Sequence, residues 1–219
     1  MDRPEIIDDA IAAYTAAHST RPDEVQQALI EATNDRVGDW SVMQISPLQG
    51  TFMSVLTAAI RPTFAVEVGT FTGYSSLAVA RELPPAGKLL CCDISEEWTD
   101  IAREHWARAG VDDRVELRIG PAIETLRSLP PEPPVDLAFI DADKTSYLDY
   151  YEELLPRLSP HGVLLVDNTL WSGAVLDPEV VDDDTVALRA FNDHVAADPR
   201  SEVALLPVGD GVSFIRRVD

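Results

Sequence analysis

The sequence predicts a doubly wound α/β fold, in which helices cover both faces of a mostly parallel, Rossmann-like β-sheet. Apolar runs of strand length alternate with helical segments through most of the chain, as in repeated β–α units. Several runs, such as VDLAFI at 135–140, are almost continuously apolar, which is typical of parallel strands buried on both faces. A glycine-containing turn joins one run to a helix within FAVEVGTFTGYSSLAVA, at 64–80, and α/β folds bind nucleotides at such turns.

The N-terminal part of the chain is predicted to be helical. Helices are expected at 4–17 and 23–37, because HSTRPDE between them offers capping residues and a proline that opens the second helix. The connector WSVMQISPLQG leads to a third helix near 47–60. We expect residues 1–40 to be a helical extension of one domain spanning 1–219, since a chain of this length suits a single α/β core.

The remaining segments alternate between strand and helix. Strands are predicted at 64–68, 88–92, 115–119, 135–140 and 163–166. Helices are predicted at 74–83, 96–109, 121–129 and 145–158. Pro160-His161-Gly162 is interpreted as a turn, and Asp182-Asp183-Asp184 as a solvated loop and helix start. Two final strands, 203–208 and 212–216, flank Gly209-Asp210-Gly211, which is a hairpin signal and predicts an antiparallel pair.

The composition narrows the class of partner. A formal net charge of -21 argues against binding to nucleic acids or anionic membranes. No apolar run reaches the length of a membrane span, and MDRPEIIDDA lacks the features of a signal peptide. The two cysteines, Cys91 and Cys92, are neighbours on one predicted strand and point to opposite faces, so no disulfide is expected. We therefore expect a cytoplasmic protein that binds small molecules and neither nucleic acid nor membrane.

The glycine turn indicates the kind of nucleotide. A dinucleotide fingerprint, G-x-G-x-x-G, counted from Gly69 would need glycines where Phe71 and Tyr74 stand, so NAD or FAD fits poorly. S-adenosylmethionine has no phosphate and suits the spacing from Gly69 to Gly73 better. Asp93 ends the second predicted strand, twenty residues after Gly73, where an acid would hold a ribose diol.

Six motifs follow one another in the order of a known family: EVGTFTGYS, CDIS, GPAIETL, DLAFIDADKTSY, GVLLVDNTLWSGAV and LPVGDG. From about Met43 to the C-terminus, the chain resembles the class I cation-dependent O-methyltransferases, which include the caffeoyl-CoA and catechol O-methyltransferases. The resemblance implies a seven-stranded sheet with an antiparallel C-terminal strand, S-adenosylmethionine as cofactor, and methyl transfer to a phenolic oxygen. It also implies a homodimer. Val25, Leu29 and Ile30, at roughly helical spacing, would then pack against either the domain or a partner.

The resemblance also implies a set of cofactor-binding residues. For Asp93 the position after a strand gives independent support, whereas Ser75 could equally cap its own helix. Met43 and Ile45 would lie over the cofactor, and the alternative is an ordinary buried linker. The implied set is Met43, Ile45, Glu67, Gly69, Thr70, Ser75, Asp93, Ala122 and Asp141.

Three oxygen-bearing side chains follow two of the predicted strands. Asp141 comes after the strand at 135–140, and Asp167 with Asn168 after the strand at 163–166. Such oxygens suit Mg²⁺, Mn²⁺ or Ca²⁺ better than zinc, although any one of these residues alone could simply cap a helix. By resemblance, the three residues match the metal site of the family, and Mg²⁺ is the expected ion.

Lys144 is chemically conspicuous, because Lys88 is the only other lysine and arginine supplies the remaining positive charge. Lysine can release a proton when its surroundings lower its pKa, whereas arginine cannot. By resemblance, Lys144 is the general base and acts beside Asp141. A salt bridge at the start of a helix is the alternative.

The residues implied to contact the acceptor are Asp143, Trp171 and Ser172. Asp143 stands where the catechol branch has tryptophan, and Pro207 replaces an acid of that branch. No lysine precedes Lys88, although the CoA-ester enzymes use one near the N-terminus. A small phenolic molecule of the catechol or polyphenol type is therefore preferred over simple catecholamines. CoA esters and other acceptors remain alternatives.

Other functional classes receive less support. A non-catalytic S-adenosylmethionine-binding protein would keep the same turn and the same Asp93. An NAD-dependent oxidoreductase is disfavoured by Phe71. A hydrolase would need a serine or cysteine in a nucleophile elbow, and the chain has none; the four histidines show no ligand spacing either.

Overall fold

The computed structural model describes residues 8–218, without the side chain of Asp9. The first four residues of the helix expected at 4–17 lie outside this range. Within it, seven strands form one sheet. They are β1 (Phe64–Val68), β2 (Lys88–Asp93), β3 (Val115–Ile119), β4 (Val135–Ile140), β5 (Leu158–Val166), β6 (Ser201–Leu206) and β7 (Val212–Arg217).

The strand order in the sheet is β3-β2-β1-β4-β5-β7-β6. Neighbouring strands are parallel except at β7, which is antiparallel to both β5 and β6. The prediction of a seven-stranded, mostly parallel sheet with an antiparallel C-terminal strand is confirmed. The order reverses between β1 and β4, and open α/β sheets bind ligands beyond the carboxyl ends of the strands at such a reversal.

Eight α-helices occur in the described residues, and none of these is long and apolar enough to cross a bilayer. They are α1 (Asp9–Ala17), α2 (Glu24–Val37), α3 (Pro47–Ile60), α4 (Tyr74–Glu82), α5 (Glu96–Ala109), α6 (Ala122–Ser128), α7 (Tyr147–Leu154) and α8 (Asp183–Ala197). Short 3₁₀ turns precede α3 at Gly38–Met43, precede α7 at Lys144–Ser146, and follow β5 at Trp171–Leu176.

Helices cover both faces of the sheet, because successive side chains of a strand point to opposite sides. On β4, Leu137 and Phe139 belong to a buried cluster that α2, α3, α4 and α5 complete. Ala138 and Ile140 belong to a second cluster, completed by α6, α7 and α8. The doubly wound arrangement predicted from the sequence is thus present.

The apolar stripe on α2 packs inside the domain. Leu29 is fully buried, and Val25 and Ile30 lie partly buried against the same cluster. Thr33, one turn further on, donates a buried hydrogen bond to the Thr72 hydroxyl at 2.8 Å. The sequence left open whether this stripe packs against the domain or against a partner chain, and in the structure it packs against the domain.

The region around β5 differs from the sequence-based expectation. The helix predicted at 145–158 ends earlier, because Pro156 lacks an N–H group and the chain forms a 3₁₀ turn at Leu155–Arg157. β5 then begins at Leu158, and the turn predicted at 160–162 is a bulge within that strand. A Cβ on Gly162 would lie 2.6 Å from the carbonyl oxygen of Val135, so the bulge requires glycine there.

Candidate active site

A cleft of about 640 Å³ opens at the carboxyl ends of the strands, around the point where the strand order reverses. It is lined by residues that follow β1, β2, β3, β4 and β5, together with the segment before α3 and the first turn of α8. Such a volume is typical of a site for a cofactor or drug-sized ligand.

The glycine turn after β1 packs directly against the end of β4. Gly69 has a φ of 88°, and a Cβ there would lie only 1.9 Å from the carbonyl oxygen of Asp141. The Asp141 N–H in turn donates to the carbonyl oxygen of Val68 at 2.8 Å. Gly69 is therefore needed for both its backbone conformation and this close approach.

Asp93 fastens the same turn through its carboxylate. One oxygen accepts hydrogen bonds from the N–H groups of Thr70 and Phe71, at 2.9 and 2.7 Å, and the other accepts from Ser95 at 2.8 Å. Phe71 has a φ of 51°, which is rare for a bulky residue, so these hydrogen bonds hold a strained turn. Asp93 also lines the cleft, as a ribose-binding residue must.

Glu67 lies beneath the cleft rather than in its wall. It is 1% exposed, and the thiol of Cys91 lies 3.7 Å from its carboxyl oxygen. The pKa of Glu67 is raised to about 8, mainly by burial and to a smaller extent by the charge of Asp141, while the hydroxyls of Ser75 and Thr70 and the Cys91 thiol act in the opposite direction. Glu67 is therefore a buried acid that holds its proton at neutral pH.

Lys144 is held at the start of α7 in a nearly closed environment. It is 8% exposed, and its Nζ donates to Asp141 Oδ1 at 3.0 Å and to the Tyr147 hydroxyl at 2.7 Å. The same Nζ lies 5.7 Å from the centre of the Trp171 ring, within cation–π range. Lys144 thus makes the salt bridge that was the alternative to a role as general base, and it also faces the cleft.

Asp141, Asp167 and Asn168 lie at adjacent strand ends, because Ile140 of β4 pairs with Val166 of β5. Asp167 is 1% exposed, and burial together with the nearby charge of Asp141 raises its pKa above the usual range of a carboxyl group. Asn168 has a φ of 60°, and neither its side-chain oxygen nor its nitrogen has a hydrogen-bond partner among residues 8–218.

These three side chains fit a hard divalent cation. Two carboxylates that repel each other and a buried, unpaired amide oxygen form an oxygen donor set of the kind that Mg²⁺ and Ca²⁺ prefer. A second group, Glu152, His194 and Asp198, also brings possible ligand atoms within 4.8 Å of one another. There, however, Arg200 lies 2.7 Å from Glu152 and 2.6 Å from Asp198, so these residues form an ion-pair network away from the cleft.

Most of the residues predicted for the site line this cleft. They are Met43, Ile45, Gly69, Thr70, Ser75, Asp93, Ala122, Asp141, Asp143, Lys144, Asn168 and Trp171. Glu67 and Asp167 lie just beneath its surface. Ser172 does not line it: the residue is exposed, and its N–H and hydroxyl both donate to Asp210. Pro207 is exposed outside the cleft as well.

The turn between β6 and β7 was not anticipated as a support of the site. The carbonyl oxygens of Asp210 and Gly211 accept hydrogen bonds from Leu170 and Thr169, at 3.1 and 3.0 Å. A Cβ on Gly211 would lie 2.5 Å from the Leu170 nitrogen. The hairpin glycines therefore also let this turn clamp the loop that carries Asn168. The motif LPVGDG was the only sequence signal at this turn, and its structure was interpreted solely as a hairpin.

Several residues that line the cleft were missed altogether. Tyr150 donates to Asp143 Oδ1 at 2.7 Å, and Trp98 packs edge-on against Phe71, with ring centres 5.1 Å apart. Asp184 reaches the cleft from the first turn of α8. No local motif marks these residues, because α5, α7 and α8 bring them to the cleft only through tertiary packing.

Comparison with known proteins agrees with this architecture. A family model described as O-methyltransferase matches residues 16–218. Caffeoyl-CoA O-methyltransferases of Eucalyptus gunnii and Petunia hybrida are each 36% identical to the chain, covering 96% of it and 88% and 91% of those proteins. The SAH-bound methyltransferase of Podospora anserina matches with a TM-score of 0.86 at 32% identity, covering 96% of this chain and 95% of that one. The chain belongs to the O-methyltransferase family, as its six ordered motifs predicted.

Proposed function

We propose that this O-methyltransferase transfers the methyl group of S-adenosylmethionine to a phenolic hydroxyl of a small acceptor of the catechol or polyphenol type, with the help of a divalent cation. The observation that carries the proposal is the convergence of Asp141, Asp167 and Asn168 with Lys144 at one end of the cleft. A binding protein without catalysis would not need a buried lysine beside such a cluster.

The hydrogen bonds of the glycine turn support S-adenosylmethionine over a dinucleotide. In a dinucleotide fold, free N–H groups of this turn face the pyrophosphate. Here the N–H groups of Thr70 and Phe71 donate hydrogen bonds to the Asp93 carboxylate instead. The Podospora methyltransferase was solved with SAH bound, which supports the same cofactor for this chain. We assign it to the part of the cleft formed by Met43, Ile45, Gly69, Thr70, Ser75, Asp93 and Ala122.

The proposed cation ligands are Asp141, Asp167 and Asn168, with Mg²⁺ as the preferred ion and Mn²⁺ or Ca²⁺ as alternatives. When bound, such a cation favours the ionised form of a phenol and orients an acceptor with two neighbouring oxygens. The raised pKa of Asp167 and the unpaired amide of Asn168 support this assignment, because a cation would relieve both.

Lys144 is proposed to receive the phenolic proton as a neutral amine, after its ammonium group has released a proton to solvent. Asp141 and Tyr147 fix its Nζ on the cleft wall, so the proton acceptor is oriented before the acceptor molecule arrives. The phenolic oxygen then forms a bond to the methyl carbon as the carbon–sulfur bond of the sulfonium breaks. Positioning of the two reactants in one cleft supplies much of the rate.

The test combines metal removal with two substitutions. Dialysis against EDTA should abolish methylation of a simple catechol, and added Mg²⁺ should restore it. Asp167→Ala should behave like EDTA treatment but without recovery at ordinary Mg²⁺ concentrations. Lys144→Met should still bind the cation by calorimetry and yet turn over slowly, with partial recovery at high pH, where more phenol ionises unaided. Full activity after exhaustive dialysis against EDTA would contradict the cation proposal.

We also propose that the protein is a cytoplasmic homodimer. The stripe on α2 packs within the domain. Ile11 and Tyr14 of α1 are 59% and 65% exposed, and such apolar side chains support an association surface there. Light scattering at micromolar concentration tests this proposal, and a monomer mass would contradict it.

A further inference from the structure

We propose that the end of the cleft near Lys144 discriminates against negatively charged acceptors, and that Asp184 is a residue that sets this preference. The inference rests on the proposed function, because it concerns the acceptor of that same reaction. It adds the charge class of the acceptor, which neither the motifs nor the relatives assign to this chain.

Asp184 lies at the acceptor end of the cleft. Its helix, α8, packs against the 3₁₀ turn Lys144–Ser146 and against the turn Trp171–Leu176. The first turn of α8 therefore borders the space in front of Lys144, and Asp184 lines the cleft from there. In the described part of the chain, the carboxylate of Asp184 makes no hydrogen bond or ion pair, and the residue is exposed. Its charge is free to act on an incoming molecule.

The charges that line the cleft are predominantly negative. Within residues 8–218, the carboxylates in its wall belong to Asp93, Asp141, Asp143 and Asp184, and the only cationic side chain is Lys144. Asp93 is held by backbone N–H groups, and Asp143 accepts hydrogen bonds from the hydroxyls of Tyr150 and Ser146. None of these contacts neutralises a carboxylate with a positive charge.

Apart from the proposed metal ion, no cationic side chain of residues 8–218 is available to compensate an anionic acceptor. Lys144 is buried and already faces Asp141 at 3.0 Å. Arg189 of α8 is the nearest arginine along the same helix, but its guanidinium donates to the backbone carbonyls of Ala174, Val175, Asp177 and Val180. It thereby fastens the loop before α8 instead of facing the cleft. The two positive charges of the proposed divalent cation match the carboxylates of Asp141 and Asp167, so a carboxylate or phosphate on the acceptor would meet the remaining negative charges of Asp143 and Asp184.

The aromatic side chains at this end favour the opposite charge. Trp171 lines the cleft and already lies within cation–π distance of an ammonium group, that of Lys144. Aromatic faces attract cations and gain nothing from anions. We therefore expect acceptors to be used in the order cationic, then neutral, then anionic. A CoA ester, with its several phosphates, should be poorer still. Pro207 lies outside the cleft, so the acid that it replaces does not count against amines here.

The test uses three catechol rings of similar size, with an ethylamine, an ethanol or an acetate side chain. For each, kcat/KM is measured in the enzyme supplied with S-adenosylmethionine and Mg²⁺, and the dissociation constant is measured by calorimetry in the presence of SAH and Mg²⁺. In the wild type, the ethylamine compound should have the highest kcat/KM and the tightest binding, the ethanol compound should come second, and the acetate compound should be the poorest in both. Asp184→Asn should reduce the ethylamine-to-acetate ratio by about fivefold, as expected for one solvent-exposed charge, and high salt should have a similar effect.

Asp183→Asn is the matched control, because Asp183 is exposed on the same helical turn, carries the same charge and does not line the cleft. It should leave the ratio unchanged. Acetate use equal to ethylamine use in the wild type would overturn the inference. An equal change in the two variants would overturn the assignment to Asp184. If the rings bind in the expected order but none is methylated, the proposed function fails while the charge preference stands.

Discussion

Glu67→Gln should change the pH dependence of stability, because Glu67 is a buried acid that forms no ion pair with a cationic side chain of residues 8–218. Its pKa is raised from 4.5 to about 8, mainly by burial. Between these values the folded state keeps a proton that the unfolded state loses, so unfolding becomes easier as the pH rises. The contribution of Glu67 is most favourable below about pH 4.5 and is progressively lost up to about pH 8. Glutamine has a similar shape and cannot ionise, so the variant lacks this loss.

The magnitude follows from the size of the shift. A shift from 4.5 to about 8 corresponds to roughly 5 kcal/mol over the whole window. Between about pH 5.5 and about pH 7.5, the free energy of unfolding of Glu67→Gln should therefore rise relative to wild type by about 2–3 kcal/mol. The absolute difference at one pH depends on how well the amide fits beside Cys91, but its change with pH does not.

Urea denaturation of the cofactor-free proteins in EDTA, at these two pH values, measures the effect. Titrating groups that do not interact with Glu67 are common to both proteins and cancel in the difference. Glu82→Gln is the control, since Glu82 is exposed at the end of α4 and its replacement should give the same difference at both pH values. If the difference in free energy of unfolding between Glu67→Gln and the wild type were also independent of pH, the conclusion that Glu67 is buried and protonated would be refuted.

Three further predictions concern the loops of the site. Gly69→Ala should destabilise the fold by at least about 2 kcal/mol in thermal or urea unfolding, because the residue has a positive φ and its Cβ would meet the Asp141 carbonyl at 1.9 Å. Asp93→Ala should lower the stability of the cofactor-free protein by about 1–3 kcal/mol, since two turn N–H groups lose their acceptor, whereas Asp93→Asn should lose less. Asp210→Ala should raise the acceptor KM in steady-state assays while changing the melting temperature little, because Asp210 holds Ser172 and the adjoining loop. An unchanged acceptor KM would contradict this.

The sheet was predictable because its signals are local. A parallel strand buried on both faces must be apolar almost throughout, and β4 reads VDLAFI with all six residues buried. The position of Asp141 just after that strand then follows from the sequence alone. β5 was only half predictable, since its bulge depends on the approach of Gly162 to the neighbouring strand and not on its own composition.

The hydrogen-bond partners of the site were not predictable in the same way. Asp93 was expected to face a ribose, and nothing in CDIS shows that its carboxylate also accepts from the turn after β1. That contact exists only once β1 and β2 pair side by side. Glu67 was assigned to the cofactor by resemblance, yet its buried position beside Cys91 depends on the same pairing.

Asp141 connects the two ends of the proposed reaction. Its carbonyl oxygen touches Gly69 so closely that no side chain fits there, and its carboxylate holds Lys144. The glycine turn that we propose to contact the cofactor and the lysine that we propose to face the acceptor are therefore positioned by one residue. A shift of the turn by a few tenths of an ångström must be passed to Lys144 or absorbed as strain, since packed interiors have little free space. For methyl transfer in line, a fixed distance between cofactor and acceptor is the requirement, and this rigid contact is how the chain meets it.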